Sequence, residues 1–379
     1  MTSIELPAFA AAFVAGGGRD VDTARVPIGA AAGEHVRLVD PAGEELGLAI
    51  VDPENARLRV LVTPADRLAA IDGALLGVRV ERALAWRKAL GLAGAYRLIH
   101  GAGDGLPGFS CDVLGEVAVV YAYAECLRAL GRKLAESIIG FAKLGGAVVK
   151  LRAGSTDQLQ QDVVGNVPET LVASEAGVHY EIHPLGGLNV GLFTDMREHR
   201  AGLARFAPAK RVLNLFSYTG ALGLACARAG AATVTNVDTS SGVQAWAHSN
   251  FTRNNCTAKF ETGDAVRFLD RAARDKERYD LVVIDPPSSS TARGTSWTTG
   301  RDYPDLIARA AAVLPNGGLL WLAANTYELG SLAKLAGKGL RQAGRTASVV
   351  EQGGLPPEYP TVVAQPSDRY LQVCLLRVD

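Results

Sequence analysis

The sequence predicts an α/β chain that ends in an open, mostly parallel sheet with helices on both faces. A small all-β module and a small mixed module precede that sheet. Three observations carry this expectation. From Arg211 onward, short apolar runs (VLNL, TVTNVD, LVVID, LLWLAAN) alternate with helical stretches, as strands covered on both faces do. Between about Gly33 and Thr63, β-prone runs are joined by turn sequences rather than by helices. With 379 residues, 48% of them hydrophobic, the chain is long enough for two or three separate cores.

The elements follow in order. The opening MTSIELPAFAAAFVAGGG is apolar, but no positive charge precedes the run, so it does not read as a secretory signal. HVRLVD, LGLAIVD and ARLRVLVT read as strands linked by PAGEE and PEN, a small β-barrel within residues 1–75. Residues 64–92 carry helical spacing through Leu68, Ile71, Leu75, Val78 and Arg82, although Gly73 and Gly77 oppose it. A central α/β module over 76–185 brings YRLIH, the Gly-rich GAGDGLPG, the strands FSCDVLG and EVAVVYAY, the helix LRALGRKLAESIIGFAKL and the strand AVVKLRA. Short strands continue to HYEIHPL. The third domain, 186–379, closes with TASVVEQ and RYLQVCLLRV, a hairpin-like pair joined by LPPEYPTVVAQP.

Composition excludes several classes. No apolar run approaches the ~18–20 residues of a membrane-spanning helix, so no membrane partner is expected. The five cysteines (Cys111, Cys126, Cys226, Cys256, Cys374) are scattered and odd in number, which argues against a zinc site and a disulfide framework and for the cytoplasm. Lys and Arg (39) balance Asp and Glu (39), so no strongly basic nucleic-acid footprint exists. Residues 1–75 carry 6 basic and 11 acidic groups, and 186–379 carry 22 and 17. A polyanion would prefer the C-terminal half, though ordinary solvated surface accounts for the same counts.

The third domain carries the chemistry. Its first strand runs through Asn214 into Phe216, Ser217, Tyr218, Thr219 and Gly220, a tight turn where backbone N–H groups can approach a ligand. It is not GxGxxG; aromatic residues occupy the loop, which speaks against a dinucleotide and for a ligand without a diphosphate. The second strand ends in Asp238, whose carboxylate can accept both hydrogen bonds of a ribose diol; a helix cap is the ordinary alternative. Asp264 follows the third strand, at the height of an adenine ring. The fourth delivers Asp285–Pro286–Pro287, and the prolines force the chain out over the site.

These residues, with others upstream, resemble the ribosomal large-subunit RNA methyltransferase I family. The likeness spans nearly the whole chain. It is strongest in YRLIHGAGDGLPGFSCDVLG, GLFTDMREHR, VLNLFSYTG with the following VDTS, DLVVIDPP and YPTVVAQPSDRYLQ. The resemblance implies a class I (Rossmann-like) methyltransferase domain after a PUA-like β domain and a small central α/β domain. It also implies S-adenosylmethionine as methyl donor, ribosomal RNA as partner and rRNA processing as the role. Dimers are common among such relatives, and nothing in this sequence shows one. Carried over, Phe193, Asp195 and Arg197 would flank the donor, and Phe216 to Gly220 would wrap its methionine part. Asp238 would hold the ribose and Asp264 the adenine side, Asn214 and Ser240 would be further donor-binding positions, and Asp285, Pro286 and Pro287 would border the target base. For Arg197 a surface ion pair is the alternative.

The sequence departs from the family in three places. Met196 stands where the family often has Gln. The N-terminal module is acidic and lacks a His-Pro-Trp-like entry, which weakens phosphate contact there. Ala323, Ala324, Asn325 and Thr326 replace a Ser-Cys-Ser-like stretch found in cytosine-C5 members. Cytosine C5 needs a thiolate added at C6, and no cysteine falls at that place. Ser288 follows the Pro-Pro pair where exocyclic-amine enzymes carry an aromatic. A ring nitrogen such as guanine N7 already offers a lone pair and is slightly favoured. Asn325 could bond a base edge, or be a strand-end turn residue; Trp297 and Tyr303 could stack on a base, with core packing of one of them the more ordinary outcome. Cytosine-C5 transfer, a small-molecule acceptor and a non-catalytic donor- or RNA-binding protein are the alternatives.

Overall fold

The apolar runs after Arg211 pair as one seven-stranded sheet in the computed structural model, which describes residues 1–152, 159–292, 295–326 and 330–379 and the side chains of these except 289–297. We number its strands β1 (Arg211–Leu215), β2 (Thr233–Asp238), β3 (Lys259–Thr262), β4 (Leu281–Ile284), β5 (Gly318–Asn325), β6 (Ala347–Gly353) and β7 (Leu371–Val378). Their order is β3-β2-β1-β4-β5-β7-β6. β1 to β5 pair in parallel, and β7 runs antiparallel to both β5 and β6. The strand order reverses between β1 and β4, which places a crevice at the C-terminal ends of those strands.

Each element forms for a local reason. Leu281, Val282, Val283 and Ile284 are all fully buried, as a central strand covered on both faces requires. In the helix Ala265–Arg274, Ala265, Phe268, Leu269 and Ala272 face inward, and Asp264 caps its start by accepting from the Arg267 N–H at 3.0 Å. Leu213, Leu215, Ile284, Leu322, Phe268 and Ile307 meet in one core around the sheet.

The chain divides into two compact units. The first comprises Met1–Glu175, Ile182–Val190 and Pro357–Asp368; the second comprises Ala176–Glu181, Gly191–Pro356 and Arg369–Asp379. In the first unit, His35–Val39, Glu45–Asp52 and Arg57–Val62 form an antiparallel meander, extended by Ser3–Glu5 at one end and Asp20–Asp22 at the other. A second five-stranded sheet uses Ala95–His100, Phe109–Leu114, Val117–Ala122, Gly146–Leu151 and Gln161–Gly165. The helical stretch expected over 64–92 is shorter: Asp72 accepts from the Ala74 and Leu75 N–H groups and starts the helix at Gly73, which ends at Ala89.

The Pro-rich link between β6 and β7 is not a plain loop. Its residues Pro357–Asp368 pack into the first unit, where the Pro357 carbonyl accepts from Trp86 Nε1 at 3.1 Å and the Glu358 carbonyl from Arg87 at 2.6 Å. No helix among the described residues is long and apolar enough to cross a membrane.

Candidate functional site

A cavity of about 470 Å³ lies at the C-terminal edge of the parallel strands, within the second unit. Successive strand ends supply its wall: Phe216–Thr219 after β1, Asp238 and Thr239 at β2, Asp264 after β3, Asp285–Ser288 after β4, and Asn325 at the end of β5. Phe193, Asp195, Met196 and Arg200 complete it from the segment preceding β1. That volume falls in the usual range for a small-molecule pocket.

The loop after β1 is held in an uncommon conformation. Phe216 and Tyr218 take left-handed backbone angles (φ 56° and 47°), as does Gly220 (φ 76°). For a bulky residue this costs on the order of 1–3 kcal/mol and persists only where surrounding bonds enforce it. Here Asp238 Oδ2 accepts the Tyr218 N–H at 3.0 Å, Asn250 Nδ2 donates to the Thr219 carbonyl at 3.0 Å, and Thr219 Oγ1 donates to the Gly191 carbonyl at 2.7 Å. Gly191 must be glycine: at φ 122°, a Cβ would lie 2.4 Å from the Trp246 ring and 2.7 Å from the Glu181 carbonyl. Its neighbours bring Phe193 to 5.2 Å from the Tyr218 ring, and Tyr218 lies 6.0 Å from Trp246.

Carboxylates dominate the cavity's electrostatics. Asp195 is buried and accepts from the Tyr370 hydroxyl at 3.0 Å. Burial and the Asp195 charge together push the Asp285 carboxyl up to about 7. Asp238 and Asp264 stand on the adjoining wall, and Arg200, donating to the Phe193 carbonyl at 2.9 Å, is the basic residue of the lining. Four acids against one base repel a diphosphate and attract a cation. The residues therefore fit a nucleoside that carries positive charge and no phosphate, which is what S-adenosylmethionine is.

Most of the residues expected from sequence meet in this cavity: Phe193, Asp195, Phe216, Ser217, Tyr218, Thr219, Asp238, Asp264, Asp285, Pro286, Pro287 and Asn325. Four expected residues are not among its lining. Asn214 is buried and donates to Asn236 Oδ1 at 2.9 Å, joining β1 to β2. Gly220 precedes the helix Ala221–Arg228, and Ser240 caps the helix Ser241–Arg253 by accepting from Val243. Arg197 lies 3.5 Å from Glu198 and is not in the lining, whereas Arg200, almost one helical turn later, is. Tyr370 is a further residue that sequence reasoning misses. It lies immediately before β7, far along the chain, and only the antiparallel return of that strand brings it to Asp195.

On the acceptor side, Tyr303 is not a loop residue open to a base. It lies in the helix Thr299–Ala312, fully buried, with its hydroxyl 3.1 Å from the Ile284 carbonyl and 2.8 Å from that of Ala323. It ties the ends of β4 and β5 where the prolines leave the sheet. The Trp297 side chain lies outside the described residues. The Ser288 hydroxyl donates to the Asn325 carbonyl, linking the two acceptor-side segments. Among the described residues, no cysteine lines the cavity. Burial pushes the Cys226 thiol up to about 12 and raises that of Cys374.

Comparison with known proteins accords with this geometry. Residues 96–374 match the S-adenosylmethionine-dependent methyltransferase family. The chain is 30% identical over 371 residues to "Ribosomal RNA large subunit methyltransferase I" of Klebsiella pneumoniae, covering 94% of this chain and 92% of the relative. Among solved structures, one from Streptococcus mutans described as a SAM-dependent methyltransferase superposes with TM-score 0.88 at 24% identity over all of both chains. A further methyltransferase structure, complexed with SAH, superposes equally well and supports the fold.

Proposed function

Because the chain belongs to the S-adenosylmethionine-dependent methyltransferases, and among them to the large-subunit ribosomal RNA methyltransferase I family, we propose that it methylates a base of large-subunit ribosomal RNA. A guanine ring nitrogen, N7, is favoured over cytosine C5. The single observation that carries the choice of atom is the acceptor wall, formed by Asp285, Pro286, Pro287, Ser288 and Asn325 with no cysteine among the described lining residues. Carbon attack at C5 needs a thiolate nucleophile, and a ring nitrogen with its own lone pair does not.

The donor supplies an electrophilic methyl group on a sulfonium. The chain's part is to hold donor and base in line and to exclude water. Asp238 accepts from the ribose hydroxyls, and Asp264 lies on the adenine side. The strained loop from Phe216 to Gly220, with Phe193, encloses the methionine part. Asp195 and Asp285 supply negative charge facing the sulfonium and ammonium groups. Pro286 and Pro287 form a rigid ledge for the base, and Asn325 offers an amide to its edge. Asn214 and Ser240 support these groups from behind, through the bond to Asn236 and the cap of the following helix.

Nucleoside mass spectrometry of ribosomal RNA from cells with and without the gene tests the reading. Loss of one 7-methylguanosine is the expected result. Loss of a 5-methylcytidine instead would overturn the choice of atom, and an unchanged large-subunit profile would overturn the substrate.

A further inference from the structure

The helix Leu332–Gln342 carries an exposed basic face that no carboxylate among the described residues neutralises. Between Gly330 and Val350 the sequence has Lys334, Lys338, Arg341 and Arg345 and no carboxylate, in a chain whose charges balance as a whole. Arg345 is occupied, donating to the carbonyls of Ala311, Leu314 and Asp379. The other three are exposed, and none meets a carboxylate within 4.0 Å among the described residues. Their spacing of four and then three residues puts them on one face over about 10 Å. Like charges at those spacings repel and weaken a helix.

Two glycines interrupt the same helix. Gly339 is explained by packing, since a Cβ there would lie 2.4 Å from the Pro304 carbonyl. Gly337 has no such reason: its Cβ would meet only the far end of Arg341, at 3.6 Å. A mid-helix glycine is destabilising relative to alanine. Gly337 lies on the helix surface at the edge of the face that Lys334, Lys338 and Arg341 share, with the end of Arg341 beside it. The exposed positions carry no large apolar side chain, so the face has nothing to insert into a lipid surface.

The helix also starts at the rim of the cavity. The Leu332 N–H donates to Gln372 Oε1 at 2.9 Å, and Gln372 pairs with Ala324, the neighbour of the cavity residue Asn325.

We propose that the face formed by Lys334, Gly337, Lys338 and Arg341 is a platform for the phosphodiester backbone of the RNA whose base enters the cavity. This rests on the proposed RNA substrate. A phosphate seated over Gly337 relieves the repulsion among the three cations, and the missing Cβ lets it approach the helix.

The test uses the full chain with unmodified, in vitro-transcribed large-subunit ribosomal RNA, and compares wild type with Lys334→Gln/Lys338→Gln/Arg341→Gln and with Gly337→Leu. The slope of log Kd against log salt should fall in magnitude by about 2 in the triple variant, roughly 0.7 for each phosphate no longer neutralised. The KM for RNA should rise at least about tenfold near 0.1 M salt, with S-adenosylmethionine affinity unchanged. Gly337→Leu, which keeps every charge, should weaken RNA binding too. If wild type methylates the RNA and the triple variant keeps its salt slope and KM, the platform is wrong and the RNA reading stands. If wild type neither binds nor methylates the RNA, the substrate reading itself fails, and the platform with it.

Discussion

The hydroxyl of Tyr370 donates to Oδ2 of Asp195 at 3.0 Å, joining two residues 175 positions apart. Asp195 in turn faces Asp285, whose carboxyl is raised to about 7 by burial and by that neighbouring charge. A neutral donor thus holds one carboxylate where it makes the other hard to ionise. The pair is costly alone and suited to a cation.

Removing the hydroxyl should be felt in stability. Tyr370→Phe keeps the ring and deprives a buried carboxylate of a donor, which costs about 1–3 kcal/mol. Urea denaturation of the protein without donor measures it. An unchanged midpoint and slope would mean the hydrogen bond contributes nothing.

The Asp285 shift gives donor binding a pH dependence whose sign is fixed. Ionised Asp285 attracts the sulfonium and protonated Asp285 does not, so affinity should fall as pH drops through about 7. The same group makes the protein without donor less stable as pH rises from about 4 to about 7, because over that window the folded state keeps a proton that the unfolded one has lost. Asp195→Asn removes a cause of the shift and should move the binding midpoint to lower pH. A flat profile between about pH 6 and 8 by calorimetry would contradict this.

Tyr303 ties β4 to β5 through the carbonyls of Ile284 and Ala323. Tyr303→Phe should cost about 1–3 kcal/mol, since buried carbonyls lose a donor. Because Asp285 and Pro286 directly follow Ile284, kcat should fall and the KM for donor should rise. A stability loss with normal kcat would show that the strand ends do not depend on this tie.

If transfer goes to a ring nitrogen, no thiol is required. Replacing Cys226, Cys256 and Cys374 by Ala should lower the melting temperature and leave kcat within about threefold below it. Loss of transfer with donor binding intact would return the reaction to a thiolate mechanism.

The parts of this protein legible in the sequence are those set by local pattern. The fully apolar strands, the Asp-Pro-Pro exit from β4 and the aspartates that end or follow β2 and β3 lie where the alternation of strand and helix put them. The rest depends on tertiary closure. For Tyr303 the sequence leaves base stacking and core packing open until the helix Thr299–Ala312 buries it, and Tyr370 has no local pattern that points to Asp195. Arg197 and Arg200 differ by less than one helical turn, and only the packed helix decides which faces the cavity. That aromatic residues occupy the loop after β1 is legible in the sequence, but the left-handed backbone of Phe216 and Tyr218 is not, because bonds involving Asp238, Asn250 and Gly191 support a conformation that their own side chains disfavour.

Calorimetric titration of S-adenosylmethionine into wild type and Asp238→Ala at about pH 8 tests the donor site most directly. Asp238 both orders the loop, through the Tyr218 N–H, and stands where the ribose hydroxyls are expected. Single-site binding by wild type, weakened at least about tenfold in Asp238→Ala, with no binding of a nicotinamide dinucleotide to either, is the predicted result. Equal affinity for S-adenosylmethionine in both proteins would place the donor elsewhere and contradict the account.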